Sequence, residues 1–189
     1  QSLPDGGHTT VATIADGSGA AWQIQRIVKP GPQAPGDPNG GTLLVEVQVK
    51  VDKDRDIIHI PWLTLFPGLG AFGQAKCQGL LPGLEYLSDE PSSSTADIAE
   101  PKNVRRVPDP VKITFPLMAI SHGGSYIAVI WEPSEMTAAT FDSPDRVYNS
   151  GAHLMTLSAP AVGNLRFENA FCAHTPFKLE ANKVLKVSA

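Results

Sequence analysis

Residues 43 to 51 contain an alternation of apolar and polar side chains. The apolar positions are Leu43, Val45, Val47, Val49 and Val51, and the polar positions between them are Glu46, Gln48 and Lys50. A period of two residues is that of a β-strand with one face buried and the other in solvent. We therefore predict a strand over 43–51 whose five apolar side chains lie in the core.

Turn residues divide the rest of the chain into short segments. There are 17 glycines and 17 prolines in 189 residues, a combined share above the roughly 12% of an average protein. This excludes a helical bundle or a coiled coil, because both need long uninterrupted helices. The apolar segments between turns predict further strands over 21–28, 57–60, 79–87, 111–120, 126–131, 153–159, 165–171 and 177–187. The link His122-Gly123-Gly124-Ser125 indicates a hairpin over 111–131, and one helical turn is expected within 132–141.

About nine short strands separated by turns favour an all-β fold, a single antiparallel β-sandwich domain over residues 1–189. The net charge of −4 provides no positive field, which argues against nucleic acid as a partner. No run of 18 apolar residues is present, so no helical membrane span and no membrane partner are expected. Cys77 and Cys172 either form a disulfide or remain two buried thiols, and the sequence leaves both alternatives open.

An acidic segment over 82–94 is the first candidate ligand site. It contains Glu85, Tyr86, Asp89 and Glu90 together with three serines. Carboxylates accept hydrogen bonds from sugar hydroxyls, and a tyrosine ring can stack on the C–H face of a sugar. The alternative is an acidic loop that points into water.

A second candidate segment spans 140–148 and contains Asp142, Asp145 and Arg146. The two aspartates suit a polyol or a hard cation, and the guanidinium suits a carboxylate. The alternative is a structural corner in which Asp142 caps a turn and Arg146 pairs with Asp145. Trp131 ends an apolar run, where its ring is either a sugar platform at the sheet edge or part of the core.

Several motifs of this chain resemble β-sandwich modules in large secreted bacterial proteins that accompany carbohydrate-active domains. The motifs are Asp54-Arg55, His59-Ile60-Pro61-Trp62-Leu63, Phe66-Pro67-Gly68-Leu69-Gly70, Pro82-Gly83-Leu84-Glu85-Tyr86-Leu87, Glu90-Pro91-Ser92-Ser93-Ser94, Pro108-Asp109-Pro110, Phe115-Pro116-Leu117-Met118-Ala119 and Phe141-Asp142-Ser143-Pro144-Asp145-Arg146. The ending from Pro176 is similar to the closing strands of galactose-mutarotase-like supersandwich domains. The resemblance implies polysaccharide handling by a module of a larger protein, which is extracellular or periplasmic.

The first functional hypothesis is a non-catalytic carbohydrate-binding module. Its predicted ligand contacts are Glu85, Tyr86, Asp89, Glu90, Trp131, Asp142, Asp145 and Arg146. The first alternative is a catalytic or accessory domain of a glycoside hydrolase, polysaccharide lyase or sugar epimerase, in which Glu85 or Glu90 faces Asp142 or Asp145. The second alternative is a structural spacer. A Ca²⁺ ion on Asp89, Asp142 and Asp145 would offset the repulsion between these acids if the two loops converge. In the competing interpretation the acids point into water or pair with arginines.

Overall fold

The computed structural model describes residues 1–33, 36, 41–65, 78–80, 113–122, 124–134, 136–144, 153–161 and 176–189. Within these residues all regular structure is β, every strand pair is antiparallel, and no helix is present. The all-β, antiparallel fold class is therefore confirmed. The packing of the sheets as a sandwich stays a prediction.

The described strands are β1 (His8–Ala15), β2 (Ala21–Pro30), β3 (Leu43–Val51), β4 (Arg55–Ile57), β5 (Ile60–Leu65), β6 (Gln78–Leu80), β7 (Leu117–His122), β8 (Ser125–Ile130), β9 (Ala138–Pro144), β10 (His153–Ala159), β11 (Phe177–Leu179) and β12 (Val184–Ser188). They fall into two compact units. Unit 1 comprises Gln1–Ile57 and Phe177–Ala189, and unit 2 comprises Ile58–Pro176. The expectation of a single domain over 1–189 stays a prediction.

Unit 1 contains a four-stranded sheet in the order β1-β2-β3-β12, and a two-stranded sheet of β4 and β11. Residues directly opposite each other in an antiparallel sheet share a face. Val47 and Val49 are opposite Val187 and Leu185 of β12, and all four side chains are buried. This face of the sheet, which also carries the buried Val51, forms the core of unit 1, as its alternating pattern predicts.

The opposite, solvent-facing side of the same sheet is mainly polar, although Val11 and Val184 are also exposed on it, and several of its polar side chains bond to one another. The Gln25 amide donates to the Thr9 hydroxyl (3.3 Å), and the Gln48 amide donates to the Glu46 carboxylate (2.7 Å). Lys186 Nζ lies 2.7 Å from the same carboxylate. The hydrogen bonds from Lys186, which has the largest effect, and from Gln48 hold the pKa of Glu46 below its ordinary value.

Unit 2 contains two three-stranded sheets, β5-β10-β9 and β6-β7-β8. In the first, Met155, Leu157 and Ala159 of β10 are buried, and so is Ser158 between them. Both faces of the second half of β10 are therefore covered. In the second sheet Met118, Ile120 and Val129 are buried on one face.

Four of the nine strand predictions are confirmed, at β2, β3, β8 and β10, and two of these strands have the predicted bounds. The predicted strand 57–60 is wrong, because β4 ends at Ile57 and β5 begins at Ile60, and the predicted strand 111–120 is shortened to a β7 that begins at Leu117. Strands β3 and β10 span 43–51 and 153–159 as expected, and β2 extends the predicted 21–28 by two residues. The predicted hairpin is also confirmed, because β7 and β8 pair up to His122 opposite Ser125.

Other expectations are wrong. Leu43 is 65% exposed rather than buried, because it lies at the end of β3 opposite Pro30. The helical turn expected within 132–141 is replaced by a short turn and β9. The predicted strand 177–187 is two strands, because Asn182 adopts a left-handed φ of 64° between them. The predicted strand 165–171, Cys77 and Cys172 lie outside the described residues.

Candidate functional site

One face of the β6-β7-β8 sheet combines large apolar side chains with exposure to solvent. Along β8, Ile127 and Val129 point toward the covered side, whereas Tyr126, Ala128 and Ile130 are exposed. Leu80 of β6 is opposite Ala119 of β7, which is in turn opposite Ala128, so these positions share that exposed side. We call the set Leu80, Leu117, Ala119, Tyr126, Ala128 and Ile130 the outer face.

The largest side chains of the outer face are apolar or aromatic. Tyr126 and Ile130 are each 57% exposed, and Leu80 is 49% exposed. Tyr126 and Ile130 are four residues apart on one strand, which corresponds to about 13 Å at 3.3 Å per residue. Exposed apolar side chains that are grouped on one surface commonly mark a binding site, whereas single ones do not.

Backbone pairing holds the outer face in place. β7 and β8 pair over six residues each without a register shift. The two-residue link between them contains Gly124 at φ 81°, a conformation that glycine adopts at no steric cost. Tyr126 lies directly opposite Ser121, and Ser121 lies opposite Gln78 in β6. The aromatic residue therefore projects from a paired strand rather than from a loop, which reduces the entropy lost on binding.

The Asp16 carboxylate forms the densest polar cluster among the described residues, and it belongs to unit 1. Within the turn between β1 and β2 it accepts hydrogen bonds from the backbone N–H groups of Ser18 (2.9 Å) and Ala20 (3.0 Å) and from the Ser18 hydroxyl (2.8 Å). Across the unit it accepts from Trp22 Nε1 (2.9 Å) and Arg55 Nε (2.6 Å). Arg55 is thereby tied to a turn 39 residues away in the sequence.

The electrostatics of this cluster explain its role. The Arg55 guanidinium, followed by the Trp22 indole N–H, holds the pKa of Asp16 far below its ordinary value, and Asp16 raises the pKa of Arg55. A carboxylate whose oxygens already accept this many hydrogen bonds has little capacity left for a ligand. We therefore assign the Asp16 cluster to the fold rather than to a binding site.

The acidic segment after β3 has a similar structural role. Asp52 accepts a hydrogen bond from the backbone N–H of Ala21 (2.8 Å). Asp54 accepts one from the backbone N–H of Ala181 (2.8 Å) and pairs with Lys178 (3.0 Å). The Ala181 N–H, followed by Lys178, lowers the pKa of Asp54. These aspartates join unit 1's turns to its strands.

Trp131 is the one predicted ligand contact whose side chain the structure describes. It is 4% exposed, so its ring does not provide the surface platform expected at the sheet edge. It lines a cavity of about 30 Å³ together with Ile113, Pro116, Pro133, Ser134 and Thr137. A volume of this size holds about one water molecule and no sugar ring.

The backbone of Asp142 is described, and it lies in an irregular part of β9. Ser143 is opposite Leu154 and Thr140 is opposite Thr156. Phe141 and Asp142 therefore share the single opposing residue Met155, which is the arrangement of a β-bulge. Bulges occur often beside functional sites, so Asp142 remains a candidate functional residue.

The other predicted contacts are not tested. Glu85, Tyr86, Asp89, Glu90, Asp145 and Arg146 lie outside the described residues. The proposed calcium ligands Asp89 and Asp145 are among them, and the described part of the chain contains no group of three or more potential metal ligands. Asp142 lies in strand β9 rather than in the expected loop, and whether the two acidic segments meet stays a prediction.

Sequence reasoning missed Tyr126 and Asp16. Tyr126 begins an apolar run in which every residue suits a buried strand, so the run itself does not distinguish the exposed positions. Asp16 was detectable, since Asp16-Gly17-Ser18-Gly19 is a strong turn signal in which an aspartate accepts hydrogen bonds from nearby N–H groups.

Comparison with protein-family models, with curated proteins and with solved structures found no match in any of the three. Among the described residues there is also no helix long and apolar enough to cross a membrane.

Proposed function

We propose that this chain is a non-catalytic module that binds a polysaccharide on the outer face of the β6-β7-β8 sheet. The observation that carries the proposal is the 57% exposure of Tyr126 on a paired strand, in a row with exposed Ala128 and Ile130. An aromatic ring stacks on the C–H face of a sugar ring, and neighbouring apolar side chains extend the contact. An exposed sheet face suits an extended chain of repeating sugars.

Two other features support the same function. The net charge of −4 favours neutral over anionic polysaccharides, because like charges repel. The resemblance to modules of secreted carbohydrate-active proteins agrees with a polysaccharide ligand. It also agrees with an extracellular or periplasmic location and with a catalytic domain in the same polypeptide.

Calorimetric titration of the full chain against a panel of soluble polysaccharides, neutral and anionic, tests the proposal. Tyr126→Ala should weaken binding about tenfold, which corresponds to ~1.4 kcal/mol, since it removes both the stacking and the buried area. Tyr126→Phe keeps the ring and should retain most of the affinity. Absence of binding to every polysaccharide, or equal affinity of Tyr126→Ala and the unchanged chain, would refute the proposal.

A glycoside-cleaving activity is the second candidate, and the bulge at Asp142 favours it. Cleavage needs two carboxylates about 5 to 10 Å apart, for which Asp142 or Asp145 with Glu85 or Glu90 are the proposed pairs. New reducing ends that disappear in both Asp142→Asn and Glu85→Gln would establish this activity. Turnover that is unchanged by substitution of all four acids would remove these pairs.

Calcium bound by Asp89, Asp142 and Asp145 is a separate proposal. A bound ion would stabilise the folded chain by mass action. Melting curves with and without EDTA test this, and an unchanged midpoint together with a metal-free elemental analysis would reject it.

A further inference from the structure

The middle row of the outer face contains two small side chains. It comprises Ala128 of β8, Ala119 opposite it in β7, and Leu80 opposite Ala119 in β6. Tyr126 lies on one side of Ala128 and Ile130 on the other, each about 6.6 Å away along the strand. An alanine side chain is a single methyl group, so the two alanines leave a shallow space between larger neighbours. We call this space the alanine depression.

The floor and one side of the alanine depression are hydrocarbon. Ala128 is exposed and Ala119 is half-buried, and the row beyond them consists of Ile130 and Leu117, which lie opposite each other. None of these four side chains has a hydrogen-bond donor or acceptor. A sugar hydroxyl placed there loses hydrogen bonds to water without replacing them, whereas a methyl group placed there buries apolar surface. The depression therefore favours a sugar that carries a methyl group.

The position of Tyr126 decides which methyl group reaches the depression. A sugar ring that stacks on Tyr126 is centred about one row away from Ala128. The methyl group of a 6-deoxy sugar is attached directly to the ring, so it stays above the tyrosine. The methyl group of an equatorial acetamido substituent lies three bonds beyond the ring carbon and projects sideways to the neighbouring row. An N-acetylated sugar therefore occupies the tyrosine and the depression together.

The charge of unit 2 suits an uncharged substituent. Unit 2 contains eleven acidic residues and seven lysines or arginines, so it carries the whole net charge of −4. This charge repels uronic acids and sulfated sugars and leaves an acetamido group unaffected. It attracts the free amine of a deacetylated sugar, so that sugar distinguishes a preference for charge from a preference for the methyl group.

We propose that the outer face binds a polysaccharide of N-acetylated amino sugars, with a sugar ring on Tyr126 and its acetamido methyl group in the alanine depression. This inference rests on the proposed polysaccharide-binding function and names the class of sugar. Binding itself depends on Tyr126, whereas the preference for the N-acetylated sugar depends on Ala128 and Ala119. Binding and preference can therefore be tested separately.

Calorimetric titration of the full chain with three hexasaccharides of the same β-(1→4) linkage tests the inference. They differ only at carbon 2, which carries an acetamido group in the N-acetylglucosamine hexamer, a hydroxyl group in the glucose hexamer and an amine in the glucosamine hexamer. The N-acetylglucosamine hexamer should bind about tenfold more tightly than the glucose hexamer, and more tightly than the glucosamine hexamer. Equal or weaker binding than either competitor overturns the inference.

Ala128→Leu fills the alanine depression and leaves Tyr126 in place. It should reduce the affinity for the N-acetylglucosamine hexamer about tenfold and change that for the glucose hexamer by less than about threefold. Ala12→Leu is the matched control, because Ala12 is an exposed alanine on a strand of unit 1, and it should change neither affinity. A folded Ala128→Leu chain that keeps the tenfold preference overturns the inference.

Ala128→Ser is the second variant if circular dichroism shows that Ala128→Leu does not fold. It places a hydroxyl group on the floor of the depression, so it should reduce the preference to about threefold or less. An unchanged preference in this variant also overturns the inference. Polysaccharide binding that depends on Tyr126 but shows no preference for acetylated sugars overturns the inference and leaves the proposed function in place. Absence of binding to the hexamers and to every polysaccharide overturns both.

Discussion

The solvent-facing sides of two sheets in this chain differ in how their side chains are engaged. In unit 1 the β1-β2-β3-β12 sheet presents amides, hydroxyls and charges that bond to one another, as Gln48 and Lys186 do with Glu46. In unit 2 the outer face presents Tyr126 and Ile130, each more than half exposed. Apolar surface in water costs free energy, so a face of this kind is expected where function requires it.

This difference separates groups that belong to the fold from groups that remain available for a ligand. The Asp16, Asp54 and Glu46 carboxylates have partners within unit 1 and contribute to its stability. The exposed members of the outer face contribute little to the stability of unit 2. Substitutions in the two regions should therefore affect different measurements.

The largest effect is expected at the core face of unit 1. Val47 is 2% exposed, so Val47→Asp buries a charge without a partner and should reduce the free energy of unfolding by about 3 kcal/mol or more. Gln48→Asp on the adjacent solvent-facing position is the control and should cost less than about 1 kcal/mol. Urea denaturation measures both, and similar losses in the two variants would contradict the assignment of the faces.

Removal of the Asp16 charge should give a smaller but pH-dependent loss of stability. Because folding lowers the pKa of Asp16, the unfolded chain binds more protons in acid, and the stabilisation is complete only above the unfolded pKa of about 3.9. It decreases as the pH falls below about 5. Asp16→Asn should therefore lower the melting temperature at pH 7 and flatten its decrease between pH 5 and 3.

Asp5→Asn is a suitable control for the loss of a carboxylate at pH 7. Asp5 is exposed and accepts a single hydrogen bond, from the Gly7 N–H. Its substitution should lower the melting temperature at pH 7 less than Asp16→Asn does, because it removes fewer hydrogen bonds. An Asp16→Asn chain with the same acid slope as the unchanged chain would remove the Asp16 cluster as a source of acid sensitivity.

On the outer face, substitution should affect binding and leave stability nearly unchanged. Ile130→Gln should change the free energy of unfolding by no more than about 0.5 kcal/mol, while polysaccharide affinity decreases about threefold. The buried Ile120 of β7 is the reference, since Ile120→Gln should destabilise the chain by several kcal/mol. If Ile130→Gln destabilises the chain as much as Ile120→Gln does, the outer face is part of the core.

The smallest effect is expected at the ion pair on the polar face of unit 1. Lys186→Gln removes the partner of Glu46 and should cost about 0.5 kcal/mol at low salt. The difference should disappear in roughly 1 M salt, where exposed charges are screened. A cost that persists in high salt would show that the pair stabilises unit 1 by more than surface electrostatics.

The sequence by itself determined the strands whose patterns are local. β3 shows period 2 and β10 lies between clear turn signals, so both were predicted with their observed bounds. β1 was missed because its run of threonine, valine and alanine does not alternate in polarity. β9 was missed because a short segment with a single turn signal suits a helical turn as well as a strand.

Tertiary structure alone decided which apolar side chains face water. Tyr126 begins an apolar run and Trp131 ends it, yet Tyr126 is exposed and Trp131 is buried. Their sequence neighbours are equally apolar, and only strand pairing and the covering of one sheet face separate them. In the same way, the residue that lowers the pKa of Asp16 most is Arg55, which lies 39 residues away in the sequence. Such contacts depend on the path of the whole chain, and for that reason local periodicity predicted strands such as β3 and β10 but neither the exposed face nor the polar cluster.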